Sequence, residues 1–167
     1  QIHKSLKWRK KEKNFDNYAI VNKSSEFHVS YEMNDIAAQK REALSPSFYH
    51  YEPQLMIALE EFHLEGVDGV AKDWESMGNW QYNSLLVNRD ILPEATISLM
   101  KQKLTGITDR VEKIKKVYEY VQNNTRYISV QLGIGGWQPI SAEEVDRVKY
   151  GDCKGLTNYT KALLKSQ

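Results

Sequence analysis

Cys153 is the one cysteine among 167 residues, and it stands in Tyr150-Gly151-Asp152-Cys153-Lys154-Gly155 at the mouth of an amphipathic pattern. The apolar positions that follow are Leu156, Tyr159, Thr160 (by its methyl group), Leu163 and Leu164. Their spacing is that of a helical stripe, not of a strand. Asp152 suits the N-cap, so the sulfur falls in the first turn, where unpaired N–H groups and the positive end of the helix dipole gather. Such a setting favours thiolate over thiol and makes a nucleophile able to attack a carbonyl or carboxamide carbon. A free cysteine more often serves as a small buried hydrophobe. The flanking glycine, aspartate and lysine argue against an apolar pocket, and the reactive reading is preferred.

The elements that must position this residue can be read upstream. Ser141 with Glu144 forms a capping-box pattern for a helix ending near Lys149, and Gly151 breaks it. Residues 126–132 read as a short strand, and Gly133-Ile134-Gly135-Gly136 as a turn, since it lacks the spacing of a dinucleotide fingerprint. Asp109 with Glu112 opens another helix, whose expected buried stripe is Val111, Ile114, Val117, Tyr118 and Val121. Pro93 begins a helix with Ile97, Met100 and Leu104 on one face, stopped by Gly106. Asp73 caps a helix carrying Trp74, Met77, Gln81 and Leu85 and ending near Asn88. Trp74 and Trp80 are expected in core or interdomain packing rather than as ligand platforms.

The first third reads as strands. Leu6 and Trp8 alternate with Lys7 and Arg9, the run Phe27, Val29, Tyr31, Met33 alternates cleanly, and Leu55, Ile57 and Leu59 continue the pattern before Phe62 and Leu64. The basic run over residues 4–13 fits a lysine-decorated edge strand better than a nucleic-acid patch. Ser45-Pro46 and Glu52-Pro53 mark turns or strand entries. Gly66-Val67-Asp68-Gly69 is the expected boundary, beyond which the period becomes helical. Strands before helices predict an α+β fold.

Composition narrows the function classes. Twenty-three Lys and Arg against 22 Asp and Glu leave a net charge of +1, so no strong field points to nucleic acid or to an acidic membrane. No apolar run is long enough to span a bilayer, and a single cysteine excludes an intrachain disulfide scaffold. No Walker loop, paired Cys-x-x-Cys or His-Glu-x-x-His is present, so neither cofactor nor metal is expected.

Gly-x-Cys at a helix start after a strand resembles the nucleophile segment of the transglutaminase-like cysteine enzymes. The run Val121-Gln122-Asn123-Asn124-Thr125-Arg126-Tyr127-Ile128-Ser129-Val130-Gln131-Leu132-Gly133-Ile134-Gly135-Gly136-Trp137-Gln138-Pro139 is similar to one bacterial branch of that superfamily. There the core follows a β-rich domain of uncharacterised function. Residues 34–90, with Ala37, Pro46, Pro53, Trp74, Gly78, Trp80 and Arg89 as landmarks, resemble the latter part of it. The likeness is strong over residues 109–165 and looser before residue 71.

The resemblance implies a β-rich portion followed by the helical half of a transglutaminase-like (papain-like) core. Its expected divisions are residues 1–68 for the end of the accessory domain, 69–92 for a connecting helix and 93–167 for the first part of the core. It implies a Cys-His-Asp triad, with Cys153 as nucleophile and the other two members on strands downstream. No histidine follows Cys153, while His3, His28, His50 and His63 all precede it. The segment is therefore expected to be an excerpt that is inactive alone. His63 is the best placed for a permuted order and is expected instead on a sheet surface.

Related folds use a Gln or Trp side chain in the oxyanion hole. Gln131, Trp137 and Gln138 are thus candidates beside the Cys153 N–H. For Trp137, packing beside the glycine-rich turn is an equally balanced alternative, and the two glutamines tilt toward structural roles. The expected activity is that of a protease or amidase working through a thioester on a protein or peptide substrate. The alternative is an inactive scaffold with a β-rich protein- or glycan-binding module. The resemblance tilts the compartment toward the periplasm or cell envelope.

Overall fold

The computed structural model describes residues 6–26, 28–40 and 42–167. His3, Lys4 of the basic run and Phe27 of the alternating run lie outside the described residues. Strands come first and helices after, so the fold is α+β. The chain divides into two units, one of residues up to 62 with 70–72, the other of residues 63–69 and 73–167.

In the first unit, β1 (Trp8–Lys13), β2 (Ile20–Asn22), β3 (Tyr31–Met33) and β4 (Gln54–Leu59) form two antiparallel pairs. β1 runs against β4 with Trp8 opposite Leu59, and β2 against β3 with Ile20 opposite Met33. β1 carries the basic residues in a two-stranded sheet, so it is the charged edge its composition predicts. Lys10, Glu12 and the Tyr31 hydroxyl form one exposed polar cluster there.

β5 (Glu61–Leu64) and β6 (Val67–Val70) pair as a hairpin. Glu65 (φ 49°) and Gly66 (φ 87°) both take left-handed conformations, as a tight primed turn requires. Of the segment Gly66-Val67-Asp68-Gly69, read from sequence as a boundary, the first residue is in the turn and the other three are in β6. A glycine that suggests a linker serves a two-residue turn equally well.

The second unit is mainly helical. α1 (Trp74–Trp80) starts at Asp73, whose carboxylate accepts the Ser76 N–H at 2.7 Å while Ser76 Oγ accepts the Asp73 N–H at 3.0 Å. It passes into a π-helical turn over Gln81–Leu86, and Asn88 (φ 62°) follows in the left-handed region. α2 (Glu94–Lys103) begins after Pro93, and Gly106 (φ 82°) lies beyond its end. α3 (Arg110–Asn124) is capped by Asp109, which accepts the Glu112 N–H at 2.8 Å. β7 (Arg126–Tyr127), α4 (Ala142–Val148), β8 (Tyr150–Gly151) and α5 (Cys153–Lys165) complete the unit. Met100, Leu104, Val117, Val121, Ala142, Val145, Tyr159, Ala162 and Leu163 form its core.

Two local expectations are corrected. The strand expected over residues 126–132 is only two residues long, because its parallel partner β8 offers two residues for pairing. The Gly133–Gly136 run is a turn as expected, of 3-10 form. Of the stripe expected to be buried on α3, only Val117 and Val121 are; Val111, Ile114 and Tyr118 are exposed. The end of α4 also differs in its device. Lys149, at φ 57°, turns the chain before Gly151 is reached.

Candidate active site

α5 begins on Cys153, the candidate nucleophile. Asp152, almost wholly buried, accepts the Gly155 N–H at 2.9 Å through Oδ1 and pairs with the Lys154 ammonium through Oδ2. That cap fixes Cys153 as the first helical residue, with the residue exposed. The Cys153 N–H has no hydrogen-bond partner among the described residues, as expected for the first turn of a helix. Gly155 sits against the packed interior: a Cβ there would stand 3.4 Å from Ile140 Cβ and 3.5 Å from the capping oxygen, in van der Waals contact with both.

The sulfur's residue opens on a groove of about 420 Å³. One wall is α5 itself, through Cys153, Lys154, Thr157, Asn158 and Lys161. Cys153, Thr157 and Lys161 share a face because they are four residues apart. The opposite wall comes from Trp137 and Pro139 and from Gln81 and Leu86 of the π-turn. Trp137 packs edge-to-face on buried Trp80, with centroids 6.0 Å apart and planes at 66°. The stretch after the π-turn is tied to α5. The Arg89 carbonyl accepts from Asn158 Nδ2 at 2.6 Å and from the Ala142 N–H at 2.8 Å. Lys161 and Lys165 both reach Asp90 at 3.1 Å, and these two ammonium groups hold its carboxyl below the usual range.

Of the expected oxyanion residues, Trp137 reaches this groove. Gln131 is exposed on the loop after β7 and does not line it, and neither does Gln138, whose N–H donates to the Ile134 carbonyl at 2.8 Å. His63 is committed to the hairpin turn. The Gly66 N–H donates to its Nε2 at 3.1 Å, which leaves Nδ1–H for Asp68 at 2.8 Å. Among the described residues no histidine lines the groove. Nor do the described residues hold three or more His, Cys, Asp or Glu placed to bind a metal. No helix among them is long and apolar enough to cross a membrane.

Sequence reasoning missed Gln81, Asn158 and Lys161. The four-residue spacing from Cys153 could have found Lys161; nothing local could have found Gln81.

Asp152 offers a test of the cap. Burial alone would raise its pKa, but the Lys154 ammonium and the Gly155 N–H more than reverse this, so it is lowered. Its stabilising contribution is thus present above the unfolded carboxyl's pKa of about 3.9 and lost as pH falls through the lower folded value. Asp152→Asn keeps a capping oxygen and drops the ion pair. It is expected to flatten the acid limb of stability against pH, measured by urea unfolding at a series of pH values.

Comparison with protein-family models and with curated proteins finds no match. Among solved structures, the chain is similar in fold to a crystal structure described as a putative protease from Parabacteroides distasonis, with a TM-score of 0.58 and 14% identity. The match covers 97% of this chain and 30% of the length of that one.

Proposed function

We propose that this chain carries the nucleophilic part of a transglutaminase-like cysteine hydrolase acting on protein or peptide amides. The observation that carries the reading is the exposed Cys153, held by a buried aspartate at the first residue of a 13-residue helix, with its N–H bonded to no described residue, on a groove walled by Trp137 and Gln81. The family resemblance around the cysteine and the fold likeness to a structure described as a putative protease support it.

In this reading the thiolate attacks the amide carbon, and the carbonyl oxygen takes the negative charge beside the Cys153 N–H. The C–N bond then breaks as the departing amine receives a proton, leaving a thioester. Water attacks the thioester, giving a carboxylic acid and restoring the thiol. The proton steps need a base oriented by an acid. The family resemblance assigns these to a His and an Asp downstream of α5. Lys154 and Lys161 are poor substitutes, each being tied to a carboxylate, Asp152 and Asp90 respectively. Residues 1–68 then belong to the accessory domain, 69–92 connect, and 93–167 open the core.

The experiment is digestion of peptide mixtures by the full-length protein in ¹⁸O-water with a primary amine present. Hydrolysis is expected, seen as ¹⁸O in the newly formed carboxyl ends. Amine incorporation alone would make the protein a transferase. Neither product would favour the inactive scaffold, a reading that the lack of a groove histidine among the described residues also suits.

A further inference from the structure

We propose that Gln81 donates the second hydrogen bond to the oxyanion formed at Cys153; the role rests on the nucleophile reading above. A developing oxyanion needs donors placed in advance, and backbone N–H groups and Asn or Gln carboxamides serve this purpose. Besides the threonine and the cysteine itself, the groove holds five neutral or cationic side-chain donors. Lys154 and Lys161 are each paired with a carboxylate, and Asn158 spends a hydrogen on the Arg89 carbonyl. The Trp137 ring is set by its edge-to-face contact with Trp80 and forms the apolar wall. The Gln81 carboxamide is different: it lines the groove and makes no hydrogen bond with any described residue.

The backbone gives a reason for its position. α1 does not stop at Trp80 but widens into the π-turn, where bonds close from residue i to i+5. Gln81 and Leu86, five residues apart, therefore meet on one side and both face the groove. Trp80, the residue before, is buried against Trp137 and anchors the turn. A rare helical form is thus held at the point where it delivers a half-buried amide to the cysteine's groove. Gln131 and Gln138 do not line it.

Two reactions of the same sulfur separate this role from a packing role. Acylation by p-nitrophenyl acetate passes through an oxyanion, and its phenolate leaves without needing a proton. Alkylation by iodoacetamide displaces iodide at a saturated carbon and forms no oxyanion. Gln81→Met keeps the size and helical preference of the side chain but removes the donor, and Gln81→Glu replaces the donor with a negative charge. In both, acylation is expected to fall about 10²-fold, with alkylation within about twofold of the parent, since a lost oxyanion donor typically costs 10²–10³. Unchanged acylation in both variants would overturn the role. So would a parallel fall of the two rates, which marks a damaged groove. A loss in Trp137→Phe with Gln81→Met unaffected would hand the role to the indole and overturn it as well. Acylation of the parent protein at a residue other than Cys153 is a separate failure, removing the nucleophile reading and this role together.

Discussion

Replacing Cys153 with alanine is expected to lower acylation by an activated ester on the order of 10⁴-fold or more, the scale on which loss of a nucleophile is felt. The release of nitrophenolate, followed by absorbance in single turnover, reads it directly. Folding should be indifferent to the change. The residue is exposed at a helix start, outside the core, where substitutions shift stability by about 0.5 kcal/mol or less. Cys153→Ser should be nearly as slow, because a hydroxyl in this groove has no described base to deprotonate it. An alanine variant that acylates at the parent rate would place the chemistry elsewhere.

The largest structural effect is expected at Tyr159. Its ring is fully buried in the core between α5 and its neighbours, and its hydroxyl donates to Asp146 at 2.5 Å. Asp146 also accepts from Thr96 at 2.9 Å and from Lys149 at 3.0 Å, so one carboxylate ties α2, α4 and α5 together. Burial raises the Tyr159 pKa strongly, and the Asp146 charge raises it further, so the phenol stays a donor. Tyr159→Ala is expected to cost about 3–5 kcal/mol, the range for deleting a buried aromatic ring. Tyr159→Phe keeps the ring and should cost about 1.5–3 kcal/mol, the worth of a hydrogen bond to a charged group.

The Phe variant carries a pH signature. Burial pushes the Asp146 pKa up, but its three donors, Tyr159 foremost, bring it below the ordinary value. That contribution is present above the unfolded carboxyl's pKa of about 3.9 and disappears as pH falls through the folded value. Removing the phenol raises the folded pKa and shrinks the contribution. The deficit of Tyr159→Phe in urea unfolding should therefore be largest near neutrality and narrow in acid. A deficit independent of pH would mean that the hydroxyl does not act through Asp146.

The parts of this fold legible in the sequence are those with short-range causes. Asp73, Asp109, Ser141 and Asp152 each cap a helix through a backbone N–H three residues on, so a handful of residues suffices to see each start. The position of Cys153 at the helix mouth follows from the same rule. What could not be read depends on partners distant in the chain. The length of β7 is set by β8, and the exposure of Ile114 and Tyr118 by what packs against α3, not by their own spacing. Gln131 and Gln81 illustrate the point for the site. The first lies near the cysteine motif in sequence and misses the groove; the second lies far upstream and lines it, because Trp80 meets Trp137 and the π-turn follows. No local propensity signals a π-turn in Gln81–Leu86.

The central claim is that the sulfur of Cys153 takes the acyl group. It is tested most directly by mixing the protein with a peptide substrate, quenching in acid within a turnover, and mapping the adduct by mass spectrometry. The account predicts one adduct with the mass of the acyl portion, on the peptide containing Cys153, released by neutral hydroxylamine as a thioester is. An adduct on Lys154 or Lys161 that survives hydroxylamine, or substrate cleavage that persists in Cys153→Ala, would contradict it.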